Sequence, residues 1–240
     1  VDDVSDLGLR APDFGPGANR PAGRFITFEG PEGGGKSTQV DHLSRRLEQA
    51  GVLVYQTREP GGTPVGGELR AMLLVPDRPA LAPETEALLM CADRAQHVSE
   101  VIRPALASGM VVVCDRYADS TLAYQGFGSG VDLASLEAVI TFATGGLQPD
   151  LTVLIDLDVR VGLERKRRAS RAGQDDLNRI DLREVSYHER VRDGFQTLAR
   201  RSPQRFFVVD GTQPPEAISD QIWARVTRLV TVKAETPRLL

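Results

Sequence analysis

Phe25-Ile26-Thr27-Phe28-Glu29-Gly30-Pro31-Glu32-Gly33-Gly34-Gly35-Lys36-Ser37-Thr38 is the stretch on which the fold turns. Residues 24–29 form a short β-rich run, residues 30–37 fit the pattern G-x-x-x-x-G-K-[ST], and Val40, Leu43 and Leu47 then recur at helical spacing up to Gly51. Strand, glycine loop and helix in that order are the context a phosphate-binding loop needs. The glycines let backbone N–H groups turn toward a polyphosphate, and the helix N-terminus adds a favourable dipole. Lys36 is expected to reach the β- and γ-phosphates and Ser37 to offer its hydroxyl to Mg2+. Gly30, Gly33, Gly34, Gly35, Lys36, Ser37 and Thr38 are therefore the predicted triphosphate-binding residues. A glycine-rich turn that merely contains a lysine is the bland alternative, and the placement between strand and helix speaks against it.

Outward from this loop the alternation continues. Residues 52–57 read as a second strand, followed by the breaker-rich loop 59–64. A helical pattern starts at Pro83 and runs through Leu88, Leu89, Ala92 and Ala95 toward Ala107. Residues 110–114 and 151–155 are continuous apolar runs, as expected of strands covered on both faces, and residues 205–209 make a fifth strand. The predicted fold is α/β: a parallel five-stranded sheet of the P-loop NTPase type, helices on both faces, ligands at the carboxyl ends of the strands.

Composition narrows the classes. With 41% hydrophobic and 26% charged residues among 240, the chain can bury a sizeable core. Its 33 Asp+Glu against 29 Lys+Arg exclude a protein whose main work is coating nucleic acid or an anionic membrane. No apolar run approaches a membrane span, the first residues are acidic where a signal peptide is basic, and the two cysteines, Cys91 and Cys114, form no CxxC pair. A reducing cytoplasm is the expected location. Residues 1–23, rich in Gly, Pro, Asp and Ala, read as a flexible extension, 24–231 as one domain, and 232–240 as a tail.

A phosphate loop alone leaves switches, motors and kinases open. Arg58, Arg94 and Arg116 stand at or near strand and loop ends, where guanidinium forks could grip a second anionic substrate. Beyond this point the chain resembles the thymidylate kinase family. The resemblance rests on residues 28–38, on Thr57-Arg58-Glu59-Pro60-Gly61-Gly62-Thr63, on Ala92-Asp93-Arg94-Ala95-Gln96-His97, on Asp115-Arg116-Tyr117, on residues 120–126 and on residues 149–152, in the family's order. It implies transfer of the γ-phosphoryl group of ATP to dTMP with Mg2+ as cofactor. It also implies that Arg58 and Arg116 hold the dTMP phosphate, that Arg94 and Gln125 address the thymine, that Tyr124 lies beneath the sugar, and that Glu32 sits near the acceptor. Glu59 and Asp115 are expected to organise Mg2+ through water or to fix neighbouring arginines. Met90 stands where members of the family commonly carry a phenylalanine that stacks on thymine.

The basic run Arg165-Lys166-Arg167-Arg168, with Arg171 and the flexible Ala172-Gly173-Gln174, resembles the mobile lid of the bacterial members, placed here at about 165–177. Such a lid supplies a catalytic arginine, with Arg168 the leading candidate among Arg165, Arg167, Arg168 and Arg171. Gly33 agrees with this, since other members carry an arginine there. Asp210-Gly211-Thr212-Gln213-Pro214 resembles the loop that walls the adenine, and the family implies a homodimer. His42, His97 and His188 lack metal spacing and read as structural or surface residues. Another P-loop kinase and a nucleotide-dependent switch are the competing readings.

Overall fold

A computed structural model describes residues 23–76, 80–174 and 176–231; the expected N-terminal extension, Gly23 apart, and the C-terminal tail lie outside the described residues. Five strands, β1 (Arg24–Glu29), β2 (Val54–Arg58), β3 (Val111–Asp115), β4 (Leu151–Asp156) and β5 (Phe206–Asp210), pair in parallel in the order β2-β3-β1-β4-β5. β1, β3 and β4 are buried almost throughout, whereas the edge strands β2 and β5 are only partly buried. That is why the central strands read as unbroken apolar runs: helices cover both of their faces.

The helices are α1 (Lys36–Gln49), α2 (Pro64–Leu74), α3 (Pro83–His97), α4 (Arg103–Ala107), α5 (Ala118–Thr121), α6 (Leu133–Thr144), α7 (Val159–Arg171), α8 (Val185–Arg201) and α9 (Pro215–Val226). One core lies between the sheet and α1 with α9, and a second brings α3, α6 and α8 together around Leu154, Tyr124 and Phe195. The single long helix expected from Pro83 to Ala107 is in fact α3 and α4 joined by a π-helical turn, Val98–Ile102. Pro104 explains the break, because its ring and missing N–H disturb the α-helical ladder of the preceding turn. A second π-helical segment, Leu122–Gly128, follows α5 directly and carries Tyr124 and Gln125.

Register sets the carboxyl edge. Arg58 pairs with Asp115, and Phe28 with Asp115, so the ends of β1, β2 and β3 lie level. β1 feeds the glycine loop between β3 on one side and β4 on the other, where the chain's connections diverge, and this is the crevice in which open α/β sheets bind ligands.

Candidate active site

The loop 30–35 is shaped by close backbone approach. Gly33 has φ 67°, and a Cβ there would run into the carbonyl of Gly162 in the second turn of α7. A side chain has no room at this position, which gives a structural reason for glycine beyond the absence of an arginine. Lys36 opens α1 and is 7% exposed; its Nζ donates to the carbonyls of Gly30 (3.1 Å) and Pro31 (2.8 Å). Burial, reinforced by Arg116, pulls its pKa down to about 8. Ser37 Oγ donates to Asp115 Oδ2 at 2.6 Å.

Arg116 is the only described non-glycine residue with positive φ, 72°. Such a backbone costs on the order of 1–3 kcal/mol and persists where the surroundings over-determine it. Here they do: its N–H donates to Phe28 O, its guanidinium to Gly30 O, Ser120 Oγ and Glu32 Oε2, and it stacks 4.9 Å over the Tyr124 ring. Glu32 also accepts from Tyr124 Oη at 2.7 Å. Burial by itself would raise the Glu32 pKa, but Arg116, Lys36 and the tyrosine hydroxyl outweigh it and hold the carboxyl at about 2. Beneath this cluster, Glu29 is fully buried and accepts from Tyr117 N, Ser120 N and Ser120 Oγ, tying the Arg116 turn to the end of β1. Burial, with the Asp119 charge, raises its pKa to about 7.

Arg94, next to the Arg116 turn, is 2% exposed. Its Nε donates to Glu59 Oε2 at 2.8 Å, Nη1 to Thr121 Oγ1 and Nη2 to Tyr117 O. Glu59 also meets His97 Nδ1 at 2.9 Å, and His97 Nε2 meets Thr57 Oγ1. Of the two roles expected for Glu59, its contacts match the fixing of an arginine, and those of Asp115 match a place beside the Ser37 hydroxyl. His97 is thus structural, as expected, and His188 is buried on α8.

These groups share one cleft of ≈ 930 Å³. Lys36, Arg58, Arg70, Arg94, Arg116, Arg165 and Lys166 line it against Glu32, Asp41, Glu59 and Asp115, an excess of positive charge suited to two polyanions. Ser37, Thr38, Met90, Tyr124 and Gln125 also reach it, so the phosphate-loop residues expected from sequence, Gly30 apart, and the acceptor-side residues line one cleft. The lid candidates do not all do so. α7 runs unbroken to Arg171, so the basic half of the expected lid is helical; Arg165 lines the cleft, while Arg167, Arg168 and Arg171 are exposed. Arg168 and Arg171 lie in the last turn of α7, where cations complement the helix dipole. Arg165 Nη1 instead donates to Gly211 O at 3.1 Å, joining α7 to the loop after β5 that was expected to wall the adenine.

Sequence reading missed Arg70, which lies on α2 beside Arg58 and donates to Pro60 O at 2.9 Å. The signal was present: Thr63 caps α2 through a bond from Gly66 N, and Pro64 occupies the first turn.

The family model for thymidylate kinase matches residues 28–222. The chain belongs to the thymidylate kinase family. A thymidylate kinase of Thermomicrobium roseum is 51% identical over 213 residues, covering 89% of this chain and 99% of that protein. One of Deinococcus radiodurans is 51% identical over 205 residues, covering 85% and 97%. Among solved structures, the thymidylate kinase of Ehrlichia chaffeensis matches with a TM-score of 0.70 and 30% identity, over 86% of this chain and 100% of that one. In this chain of the thymidylate kinase family, Lys36, the Glu32–Arg116–Tyr124 cluster and Arg94 all line a single cleft.

Proposed function

We infer that this chain transfers the γ-phosphoryl group of ATP to dTMP, giving dTDP and ADP. The observation that carries the reading is the arrangement just described: a phosphate loop and an arginine-rich acceptor side facing one cleft, in a chain of the thymidylate kinase family.

The chemistry follows from the charges. The second pKa of a phosphate monoester is about 6, so at neutral pH a phosphate oxygen of dTMP is already a deprotonated nucleophile and no general base is required. That oxygen attacks the γ-phosphorus, the bond to the β–γ bridging oxygen breaks, and ADP leaves with the electron pair. Catalysis is then positioning and charge screening. Lys36 and the loop amides hold the triphosphate; Arg58 and Arg116 grip the acceptor phosphate; Arg94, Gln125 and Met90 receive the base; Tyr124 supports the sugar. Glu32, held as an anion, keeps Arg116 aimed.

Ser37 Oγ and Asp115 Oδ2, 2.6 Å apart, are hard oxygen donors and few in number, which fits Mg2+, an ion that keeps several waters and borrows phosphate oxygens. When bound, Mg2+ neutralises charge on the β- and γ-phosphates. The lid arginine is assigned to Arg165, supported by its place on the cleft wall, in preference to Arg168.

The reading includes a homodimer. α3 packs against both α2 and α6, and these helices expose Met72, Leu88 and Phe142, the last at 89%. Large apolar side chains exposed to this extent mark association surfaces. Sedimentation of the chain and of Phe142→Glu checks this, a monomeric wild-type chain refuting it. The cytoplasm, where ATP is plentiful, is the proposed place of work.

Coupled ADP release with dTMP, dUMP, dCMP, dGMP and thymidine side by side tests the main reading. The expected order puts dTMP first, dUMP behind it by the roughly 1–3 kcal/mol that one methyl is worth, and thymidine inert. A higher kcat/KM for dCMP or dGMP refutes the thymidylate assignment, and hydrolysis of ATP indifferent to every acceptor refutes the kinase.

A further inference from the structure

Glu86 lies in the first turn of α3 and is 1% exposed, one of the most deeply buried carboxylates of the chain. Spaced by four residues, Glu86, Met90 and Arg94 share one stripe of α3, and the latter two line the cleft. Three partners surround the carboxylate. Arg179 Nη2 donates to Oε1 at 2.8 Å, Arg183 Nη2 to the same oxygen at 2.5 Å, and Gln125 Nε2 to Oε2 at 3.4 Å. Arg179 and Arg183 come from the segment between α7 and α8, of which Asn178 and Ile180 also line the cleft.

A carboxylate flanked by two guanidinium groups only accepts hydrogen bonds, so the Gln125 atom that meets it must be the amide nitrogen. The amide is thereby fixed in one of its two orientations, and Oε1 is the atom left for a ligand; no hydrogen bond within the protein engages it among the described residues. An acceptor in that place suits a pyrimidine whose N3 carries a proton, as in thymine and uracil. Cytosine presents an unprotonated N3 and needs a donor, which a flipped amide would supply.

We propose that Glu86 is a positioning residue for base discrimination: it holds the Gln125 amide so that its oxygen faces the acceptor base, while anchoring the 178–183 wall of the same pocket. This rests on the reading of Gln125 as a base-contacting residue. The coupling has a physical reason. One buried charge satisfied from two directions makes wall and reader move as a unit, and losing it frees an amide whose two orientations are otherwise close in energy.

The test is acceptor kinetics on the full chain with dTMP and dCMP for wild type, Glu86→Asp, Glu86→Gln, Gln125→Ala and the double variant Glu86→Gln/Gln125→Ala. Glu86→Asp keeps the charge, which the two flexible arginines can follow, but draws the carboxylate back by about 1.5 Å, out of reach of a Gln125 amide already 3.4 Å away. Glu86→Gln keeps the size and lets the facing amide accept or donate. Both are expected to lower the dTMP:dCMP ratio of kcat/KM by about tenfold, mostly through a higher KM for dTMP. The double variant should be no less selective than Gln125→Ala alone, because the two act through one contact. A purely structural role for Glu86 would lower Tm and slow both acceptors alike, leaving the ratio within twofold, and that result overturns the proposal even where Gln125→Ala does relax selectivity. If Gln125→Ala itself leaves the ratio unchanged, the base-contact reading falls and takes the proposal with it. Should Glu86→Gln fail to fold, Glu86→Asp decides by the same ratio.

Discussion

Glu59→Gln should cost this protein about 3 kcal/mol of stability, and the structure says why the figure lies at the low end of its class. Glu59 and Arg94 are each 2% exposed and 2.8 Å apart, so both ions have left water and depend on each other. Removing one member of such a pair costs roughly 3–5 kcal/mol, because the survivor stays buried and uncompensated. Two features soften the loss. Arg94 keeps Thr121 Oγ1 and Tyr117 O as acceptors. Asp93, whose pKa is raised to about 6 first by burial and then by the Glu59 charge, becomes a better neighbouring anion once that charge is gone. For a protein of this size the loss corresponds to a Tm lower by roughly 6–12 °C. Urea unfolding at neutral pH should show a lower midpoint with unchanged m. Acceptor kinetics should show KM for dTMP rising more than kcat falls, since Arg94 loses its aim and not its charge. A control separates buried charge from packing: Glu59→Leu/Arg94→Met should be more stable than Glu59→Leu alone, although inactive. A Glu59→Gln protein within about 2 °C of wild type would refute the reasoning.

Lys36→Ala should lower kcat by on the order of 10³-fold with circular dichroism unchanged, because the lysine meets developing charge rather than core; near-normal turnover contradicts this. Arg165→Ala should lower kcat by about 10²-fold and Arg168→Ala by less than twofold, as befits a cleft-lining side chain and a solvated one; the reverse order in steady-state kinetics would return the lid role to Arg168. The Glu32 carboxyl has a pKa of 4.5 free and about 2 when folded, so its stabilisation is complete above 4.5 and is lost as pH falls toward 2. A gap of this size is worth on the order of 3 kcal/mol. Unfolding free energies of wild type and Glu32→Gln should therefore converge over that window, and curves that stay parallel rule out the assigned cause.

Local sequence carried much of the outcome. The central strands were legible because strands covered on both faces must be apolar throughout, and the phosphate loop because its two fixed glycines, Gly30 and Gly35, take positive φ (139° and 88°) that other residues rarely adopt. Boundaries moved by a residue or two, as at β2, where the strand starts at Val54 instead of 52. Arg58 and Arg116 stood out as charges at strand ends, and Arg94 as one on the long helix. What the sequence could not supply was partnership. Glu59 had two possible roles until Arg94 and His97 were seen on its two oxygens, and Glu86 had none until Arg179, Arg183 and Gln125 closed around it from two distant segments. The lid arginines show the same limit. Arg165 and Arg168 are interchangeable in a basic run, and three residues bring a helix to within about 60° of a full turn, so spacing does not separate them. Only packing shows Arg165 lining the cleft and bonded to Gly211 O while Arg168 is exposed in the last turn of α7. Periodicity and glycine are local constraints that each short stretch must satisfy by itself, whereas the charge state, orientation and accessibility of a side chain depend on what tertiary packing brings against it.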